Sequence, residues 1–406
     1  MHILIVPSWY SNVRSVGSGS FFRDQALALA GAGHKVGVLA QKIWGMRDYR
    51  TGPMPEMNKI SVEDDGPLRV YRRDAIHRLP RVPFRDALAH RNNGLLIFNA
   101  YETQEGRPDV IHAHGALHGG VVAAAIKRRS GIPYALTEHS SDYDEHKHRW
   151  WQKRLVAGVL RSANARLAVS PSLARQISKQ FPKMGQPIDV IPNLLPPAFE
   201  MIPPDQINAA MVPKAHPSFV FLCVARISAE KNQIGLIQAF AEAFPGRNDV
   251  ELHFVGPGDG QSLLDQAEHL QIGGKVQVYG TKVAEQVRRH MIKSDCLVLA
   301  SFVETFGVVL IESLAVGTPV IATACGGPES IVTPENGILI PPRDHPALVE
   351  ALVEMHANFG RYDAKTLRRD CLAHYGTEAI VGRLVDIYAT IRSGKNDNEE
   401  KRQPNA

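Results

Sequence analysis

The feature that most constrains this chain is a short apolar strand that leads through a glycine turn into an apolar helix. Cys296–Ala300 is a continuous apolar run of strand length, and the mostly apolar segment Leu310–Val316 predicts a helix that Gly317 ends. Thr305-Phe306-Gly307 therefore follows the carboxyl end of a buried strand, where parallel α/β sheets bind ligands. The helix after it directs free N–H groups and the positive end of its dipole towards that edge.

Two glutamates flank this turn. Glu304 precedes the helix, and Glu312 lies about two turns along it, roughly 12 Å further if both are helical. That separation is too long for two carboxylates to share a proton, but it suits two acceptors that bind hydroxyls on separate parts of a long ligand. The spacing alone also fits two surface glutamates on an ordinary helix.

A second strand and turn precede this element. Phe219–Val224 is apolar, and Arg226 and Lys231 follow it before a helix that extends to about Phe244. Two cations beside a helix amino end can neutralise a diphosphate, although an ordinary solvated pair is the alternative. Three further strand-to-turn units follow: Val250–Val255 with Gly256, Val276–Tyr279 with Thr281, and Val320–Ala322 with Gly326–Ser330.

The amino-terminal half begins with the same plan. Ile3–Val6 predicts a buried strand, and a glycine-rich loop with Gly17 and Gly19 precedes a helix from about Phe21 to Ala30, with Ser20 as its N-cap. The loop is not the dinucleotide fingerprint, because Phe22 occupies the place of the third glycine. A plain tight turn remains an alternative, and residues 41–66 are expected to be irregular.

Several histidines lie near the ends of later strands, Pro108–His114 and Ile132–His139. A metal site would need a carboxylate at ligand spacing from them, and none is evident. The Asp142-Tyr143-Asp144 segment matches a metal-binding Asp-x-Asp pattern but is expected to lie in a loop. No metal site is therefore predicted. The histidines concerned are His112, His114, His118 and His139.

The alternation of strands and helices predicts an α/β protein. Its 406 residues exceed one typical core, and the proline-rich segment Leu194–Pro217 is expected to link two domains. The predicted organisation is a first domain over 1–197, a second over 198–373, a helix over 374–393 that packs back towards the first domain, and a disordered tail over 394–406.

Compartment and partners follow from composition. No run approaches the ~18 apolar residues of a membrane span, the start lacks a signal-peptide pattern, and the four cysteines are scattered, so a reduced, cytoplasmic protein is expected. Residues 1–200 carry 27 Lys+Arg against 17 Asp+Glu, whereas residues 201–406 carry 19 against 24. The basic half favours a phosphate-rich surface or substrate. No compact basic motif with interleaved aromatics is present, so nucleic acid is not expected.

Arginines alternate with apolar residues between Tyr71 and Arg91. Two interpretations stay open: a solvated basic face, or a platform for anionic lipid headgroups on the inner face of the cell membrane or for a lipid-phosphate acceptor. Pro80 and Pro83 exclude one long amphipathic helix. The arginines are Arg72, Arg73, Arg78, Arg81, Arg85 and Arg91.

The Glu-x7-Glu element after a buried strand, the Arg226–Lys231 segment and the glycine loop together resemble the GT-B glycosyltransferases of family 4. The resemblance implies two doubly wound Rossmann-like domains facing a cleft, and a hexose transferred with retention. The sugar would come from a UDP- or GDP-linked donor, with no other cofactor. The opening Pro7-Ser8-Trp9-Tyr10 is similar to enzymes of bacterial surface polysaccharide assembly, which implies a saccharide acceptor, lipid-linked or soluble.

The resemblance also implies roles for individual residues. Arg226 and Lys231 stabilise the departing diphosphate without a metal ion, Glu304 holds hexose hydroxyls, and Glu312 binds the ribose. His114 lies by the reacting sugar and shares the acceptor side with His139, with a capping or core histidine as the alternative for His114. The donor-binding residues implied are Gly17, Gly19, Arg226, Lys231, Gly256, Thr281, Glu304, Thr305, Phe306, Gly307, Val308 and Glu312.

Two alternatives remain open at this point. A nucleotide-sugar epimerase on the same fold would isomerise its substrate without an acceptor. A non-catalytic sugar or nucleic-acid binder would have kept the fold but lost the chemistry, and the joint presence of both cations and both glutamates argues against that loss.

Overall fold

The computed structural model describes residues 1–11, 19–45, 54–76, 82–143, 148–184, 187–202 and 218–394. Contacts divide the chain into two compact units, Met1–Leu194 with Ile380–Ala406, and Leu195–Ala379. No described helix is both long enough and apolar enough to cross a membrane. The predictions that fall outside the described residues concern Gly17, Arg78, Arg81, Asp144, residues 203–217 of the predicted linker and the tail over 395–406.

The first unit contains an eight-stranded sheet in the order β3-β4-β2-β1-β5-β6-β7-β8. Neighbouring strands are parallel except β3 and β4, which are antiparallel. Apolar side chains fill the central strands, as parallel sheets covered on both faces require. The strands are β1 (His2–Pro7), β2 (Lys35–Trp44), β3 (Ile60–Asp65), β4 (Leu68–Ile76), β5 (Val110–His114), β6 (Tyr134–Glu138), β7 (Ala165–Ala168) and β8 (Asp189–Val190).

Within the described residues, five α-helices lie between these strands. Helix α1 begins at Ser20 after Gly19, so Ser20 is the first helical residue and not the predicted N-cap. A π-helical turn, Gly115–Gly120, leads from β5 into α3. The helices are α1 (Ser20–Gly31), α2 (Arg85–Glu105), α3 (Val121–Ser130), α4 (Trp150–Ser162) and α5 (Pro171–Gln180).

The prediction of an irregular segment over 41–66 is wrong in part. Strand β2 continues to Trp44, and β3 pairs with β4 at the sheet edge. The polar sequence of β3 belongs to an exposed edge strand, whose charged side chains pair across to the arginines of β4. Arg72 forms an ion pair with Glu63 at 2.8 Å.

The second unit contains a six-stranded, fully parallel sheet in the order β11-β10-β9-β12-β13-β14. The order reverses between β9 and β12, and such a switch point forms the ligand-binding crevice of doubly wound sheets. The strands are β9 (Phe219–Val224), β10 (Val250–Val255), β11 (Val276–Val278), β12 (Cys296–Leu299), β13 (Val320–Thr323) and β14 (Gly337–Ile340).

The helices of this unit include a short first turn, α6, that lies within the predicted linker. The predicted strand over Phe219–Val224 is confirmed. The helices are α6 (Pro197–Glu200), α7 (Gln233–Ala243), α8 (Gly260–His269), α9 (Ala284–Lys293), α10 (Val308–Ala315), α11 (His345–Asn358) and α12 (Ala364–Tyr375).

The last helix, α13 (Thr377–Ser393), returns to the first unit. Ile380, Leu384 and Tyr388 are buried in the same apolar cluster as Ile3 and Ile5 of β1. The helix predicted over 374–393 starts later than expected, because Gly376 adopts an extended conformation and separates α12 from α13.

Candidate functional site

The switch point of the second unit brings two predicted site residues into contact. Strands β9 and β12 are neighbours, with Leu222 in register with Leu297, and the segment after each strand carries a charged side chain. Lys231 Nζ donates to Glu304 Oε2. The two side chains are 23% and 18% exposed, so the ion pair is largely buried yet still reachable by a ligand.

Glu304 is fixed by the turn that follows β13. Its N–H donates to the carbonyl of Cys325 at 3.3 Å, and its carbonyl accepts from the N–H of Gly327 at 2.7 Å. A Cβ on Gly327 would lie 2.3 Å from Phe306 Cα, so only glycine allows this approach. The predicted turn after β13 therefore serves to position Glu304.

Arg226 lies in a loop whose backbone is held by packing on one side and by hydrogen bonds on the other. A Cβ on Gly256 would lie 2.0 Å from the Ala225 carbonyl oxygen, which shows how closely the turn after β10 packs on this loop. From the other side, buried Gln233 donates through Nε2 to the Arg226 carbonyl at 2.8 Å and accepts from the Ser228 N–H at 3.3 Å. The Arg226 side chain is exposed.

The sequence analysis did not identify Gln233 as a residue of the site. Its signal is a glutamine at the start of a mostly apolar helix, because a buried side-chain amide needs hydrogen-bond partners. It is a positioning residue for the Arg226 loop.

The turn before α10 has the predicted form. Gly307 has φ 94°, which only glycine adopts readily, and α10 begins at Val308. The Phe306 side chain is 2% exposed and belongs to the core, so the backbone is what this position offers to a ligand. Thr305 and Glu312 are partly exposed.

Thr281 lies on a more distant turn, after β11, and is exposed. This turn is connected to the turn after β10, because the Gly256 N–H donates to the Gly280 carbonyl at 3.0 Å. The structure therefore brings Lys231 and Glu304 into direct contact. Arg226 and Thr305–Val308 lie on the same two adjacent segments as this pair. Gly256 and Thr281 lie on the neighbouring turns, which are connected to these segments.

In the first unit, His114 and His139 lie together. Their Nδ1 and Nε2 atoms are 3.1 Å apart, and the ring of Phe22 lies 4.5 Å from that of His114. Burial lowers the pKa of His114 well below its usual value and that of His139 to about 3, so both imidazoles are neutral. Gly19, with φ 72°, sets the start of α1 beside this aromatic cluster.

Two residues that the sequence analysis did not single out shape the loop after β5. Ser8 Oγ donates to the Gly115 carbonyl at 3.1 Å and accepts from the Gly119 N–H at 2.9 Å. Glu138 accepts from the Ala116 N–H at 2.8 Å and from the Tyr143 hydroxyl at 2.7 Å. Burial raises the pKa of Glu138. Both contacts cross from one strand end to the next, so spacing along the chain gives no sign of them.

His118 has a carboxylate partner that the sequence analysis did not find. Asp86 Oδ2 lies 3.3 Å from His118 Nε2, and Asp86 and His90 are one helical turn apart on α2. The ligand atoms of these three residues lie within 4.8 Å of one another, a group that could hold a metal ion. The His90 and His118 rings are stacked 4.0 Å apart. His118 lies in the π-helical turn, and its approach to α2 is a tertiary feature.

Comparison with known proteins identifies matching families in both halves of the chain. Residues 16–199 match the model of Glycosyltransferase Family 4, and residues 206–362 match that of Glycosyl transferases group 1. The glycosyltransferase TuaC of Bacillus subtilis, whose name places it in teichuronic acid biosynthesis, is 28% identical over 366 residues, covering 87% of this chain and 88% of that protein. Glycogen synthase of Mycobacterium tuberculosis is 24% identical over 419 residues, covering 99% and 97%.

Two solved structures share the fold. Sucrose-phosphate synthase from Thermosynechococcus elongatus gives a TM-score of 0.75 at 22% identity, covering 97% of this chain and 100% of that one. HepE of Anabaena, solved in complex with UDP and glucose, gives a TM-score of 0.66 at 18% identity, covering 96% and 100%.

Two Rossmann-like α/β domains, each built on a mainly parallel sheet, are the architecture of the GT-B class. The chain belongs to the GT-B glycosyltransferases of the family 4 type. The predicted fold class, family and enzyme class, a transferase of EC 2.4, are thereby confirmed.

Proposed function

We propose that this enzyme moves a hexose from a nucleotide-diphosphate sugar to a saccharide acceptor with retention at the anomeric carbon. The observation that carries the proposal is the Lys231–Glu304 pair at the switch point. It sets a cation suited to the diphosphate beside a carboxylate suited to the sugar hydroxyls, as the two parts of a nucleotide sugar require.

The diphosphate is the group on which charge develops. As the bond from the anomeric carbon to the diphosphate oxygen breaks, negative charge grows on that oxygen, and Arg226 and Lys231 stabilise it. The N–H groups at the start of α10 add to this field. Two cations and a helix amino end neutralise the negative charge of the diphosphate, which a divalent ion neutralises in other enzymes. We therefore propose catalysis without a metal.

The hexose is held by Glu304 and by the backbone over 306–308, and the ribose by Glu312. The acceptor hydroxyl attacks the anomeric carbon from the face that the diphosphate leaves, and its proton passes to the departing phosphate oxygen. This route retains the configuration and needs no enzyme nucleophile.

His114 and His139 are proposed to bind sugar hydroxyls on the acceptor side. Both are neutral because burial lowers the pKa of each, so they act as hydrogen-bond partners and not as charged acids. In the described structure His114 is fully buried and its ring packs against that of Phe22, so this role requires His114 to become accessible when the acceptor binds.

We further propose that the acceptor is lipid-linked and that the enzyme acts in bacterial polysaccharide synthesis at the inner face of the cell membrane. Two observations support this. The name of TuaC refers to teichuronic acid biosynthesis. Residues 1–200 carry ten more basic than acidic side chains, which favours an anionic surface.

The experiment begins with a thermal-shift panel of UDP-, GDP- and ADP-sugars, since a bound ligand stabilises the fold by mass action. The stabilising donor is then incubated with and without oligosaccharide acceptors, and the products are analysed by NMR. An α-linked donor is expected to give an α-linked product. A β-linked product would contradict retention, and isomerisation of the donor without an acceptor would identify an epimerase.

A further inference from the structure

A groove lies on the helical face of the first unit, between α2, α3 and α4. Its volume is about 760 Å³, within the ~300–1,000 Å³ typical of small-molecule sites. Its walls are mainly apolar. The apolar residues that line it include Ala87, Leu88, Val121, Ala124, Leu155 and Val159.

The rim of this groove is strongly basic. Five cations line it, and no aspartate or glutamate appears among its described lining residues. Within the described part of the chain, the side chains of three of them, Arg85, Arg128 and Arg154, make no hydrogen bond or ion pair. The other two cations are Arg91 and Lys127. An apolar channel with a cationic rim fits a molecule that combines an apolar chain with an anionic group.

The mouth of the groove exposes large apolar side chains. Phe84 is 37%, Leu88 43% and Trp150 66% exposed, and the rings of Phe84 and Trp150 lie 5.8 Å apart. Phe84 also has φ 64°, a strained conformation for a bulky residue that tends to persist at functional positions. Exposed aromatic residues beside cations are typical of surfaces that lie at the boundary of a bilayer.

The arginines of β4 are less suited to bind a membrane. Arg72 is paired with Glu63, and Arg73 donates to Asn58 and Asn93. The basic stretch predicted from the sequence thus divides into a strand whose arginines already have partners and a helix, α2, whose first turn faces the groove.

We propose that this groove binds one anionic phospholipid of the bilayer, with an acyl chain against the apolar walls and the phosphate on Arg85, Arg128 and Arg154. The inference deepens the proposed attachment to a membrane surface. It is independent of the donor site, because every residue that lines the groove belongs to the first unit.

Gly158 gives a sharp test. It lies inside α4 and lines the groove, and no atom lies within 4 Å of a Cβ built on it. The Cβ of a substituted side chain therefore meets no atom, so Gly158→Leu adds apolar volume at the groove, and leucine is a better helix former than glycine. Gly382→Leu is the matched control, since Gly382 lies exposed in α13 with equally open space. Arg128→Glu with Arg154→Glu tests the rim, against Lys179→Glu with Lys183→Glu, which lie outside the groove.

Binding is measured in two ways. Flotation uses vesicles of phosphatidylcholine with and without phosphatidylglycerol, at low and high salt. Tryptophan fluorescence then follows titration with monomeric dihexanoyl phosphatidylglycerol, which separates a single-lipid site from a charged surface. We expect saturable binding of one lipid. Gly158→Leu should weaken it at least about 10-fold and the arginine reversals roughly 100-fold, while both controls bind like wild type.

The outcomes separate the groove from the wider proposal. If wild type floats with anionic vesicles but the groove variants float equally well, the groove assignment is wrong and the attachment stands. If wild type ignores anionic vesicles at low salt, both fail. A donor-induced thermal shift equal to that of wild type shows that each variant is folded and that the glycosyltransferase assignment is unaffected.

Discussion

Lys231→Ala is the substitution that tests the donor site most directly. It removes the ammonium that contacts Glu304, and in the proposed reaction it removes a cation from the departing diphosphate. An interaction that strengthens as charge develops acts on the transition state, so we expect kcat/KM to fall by about 10²-fold or more, equivalent to about 2.7 kcal/mol. The loss should appear in kcat more than in KM.

The same substitution has a cost in stability that the structure bounds. Removing one partner of a fully buried ion pair costs ~3–5 kcal/mol, whereas exposed pairs contribute ~0–1 kcal/mol. Since about a fifth of each side chain is exposed, water can reach Glu304, and we expect a loss of about 1–2 kcal/mol in the free energy of unfolding. The protein should therefore stay folded while activity falls.

The assay is the initial rate of sugar transfer with the donor identified by thermal shift. Lys231→Arg keeps the charge and should retain more activity than alanine. A double-mutant cycle with Glu304→Gln should be non-additive, because the two side chains are in contact. If Lys231→Ala transfers sugar at a near-normal rate, the assignment of the diphosphate site is refuted.

Four further predictions concern the rest of the molecule. Arg226→Ala should lower kcat/KM by about 10²-fold with little loss of stability, since the side chain is exposed; unchanged rates would remove Arg226 from the site. Activity should survive EDTA, and full loss that Mn²⁺ restores would instead favour a metal-dependent reaction. Burial lowers the pKa of His112 and of His139 from 6.5 to about 3, so the folded protein keeps both neutral while the unfolded chain is protonated below pH 6.5. The contribution of these histidines to stability is therefore fully present above pH 6.5 and is lost as the pH drops towards 3, on the order of 1 kcal/mol per pH unit. Chemical denaturation at several pH values checks this, and a flat profile contradicts it. Tyr388→Phe removes the hydroxyl that lies 2.6 Å from His112 Nδ1 and should lower the free energy of unfolding by about 1–3 kcal/mol, measured as a lower Tm. An unchanged Tm would show that this contact does not stabilise the fold.

Much of the second unit was predictable because its signals are local. An apolar run of strand length followed by a glycine turn and a helix predicts a strand end at the ligand-binding edge, and Phe219–Val224 was placed correctly in this way. The contact between Lys231 and Glu304 depends on β9 and β12 being neighbours in the sheet. The sequence does not state the strand order, but the order that is common in doubly wound sheets places these two strands side by side.

The features that the sequence did not predict have physical explanations. Ile60–Asp65 reads as polar because an edge strand buries little of either face, so periodicity gives no strand signal. Glu138 accepts from a backbone N–H that tertiary packing brings to it, whereas Gln233 bonds to the backbone of the loop directly before its own helix. The break at Gly376 could have been predicted, since glycine between two helical segments is a standard end signal.

The return of α13 to the first unit has a consequence for how the protein is made. Ile380, Val381, Leu384 and Tyr388 complete a core whose other buried members were synthesised before the entire second unit. At ~5–20 residues per second, a ribosome needs roughly 10–40 s to add Leu195–Ala379. During that interval the nascent first unit exposes the apolar surface that α13 later covers, so chaperone binding should concentrate there until the last helix emerges.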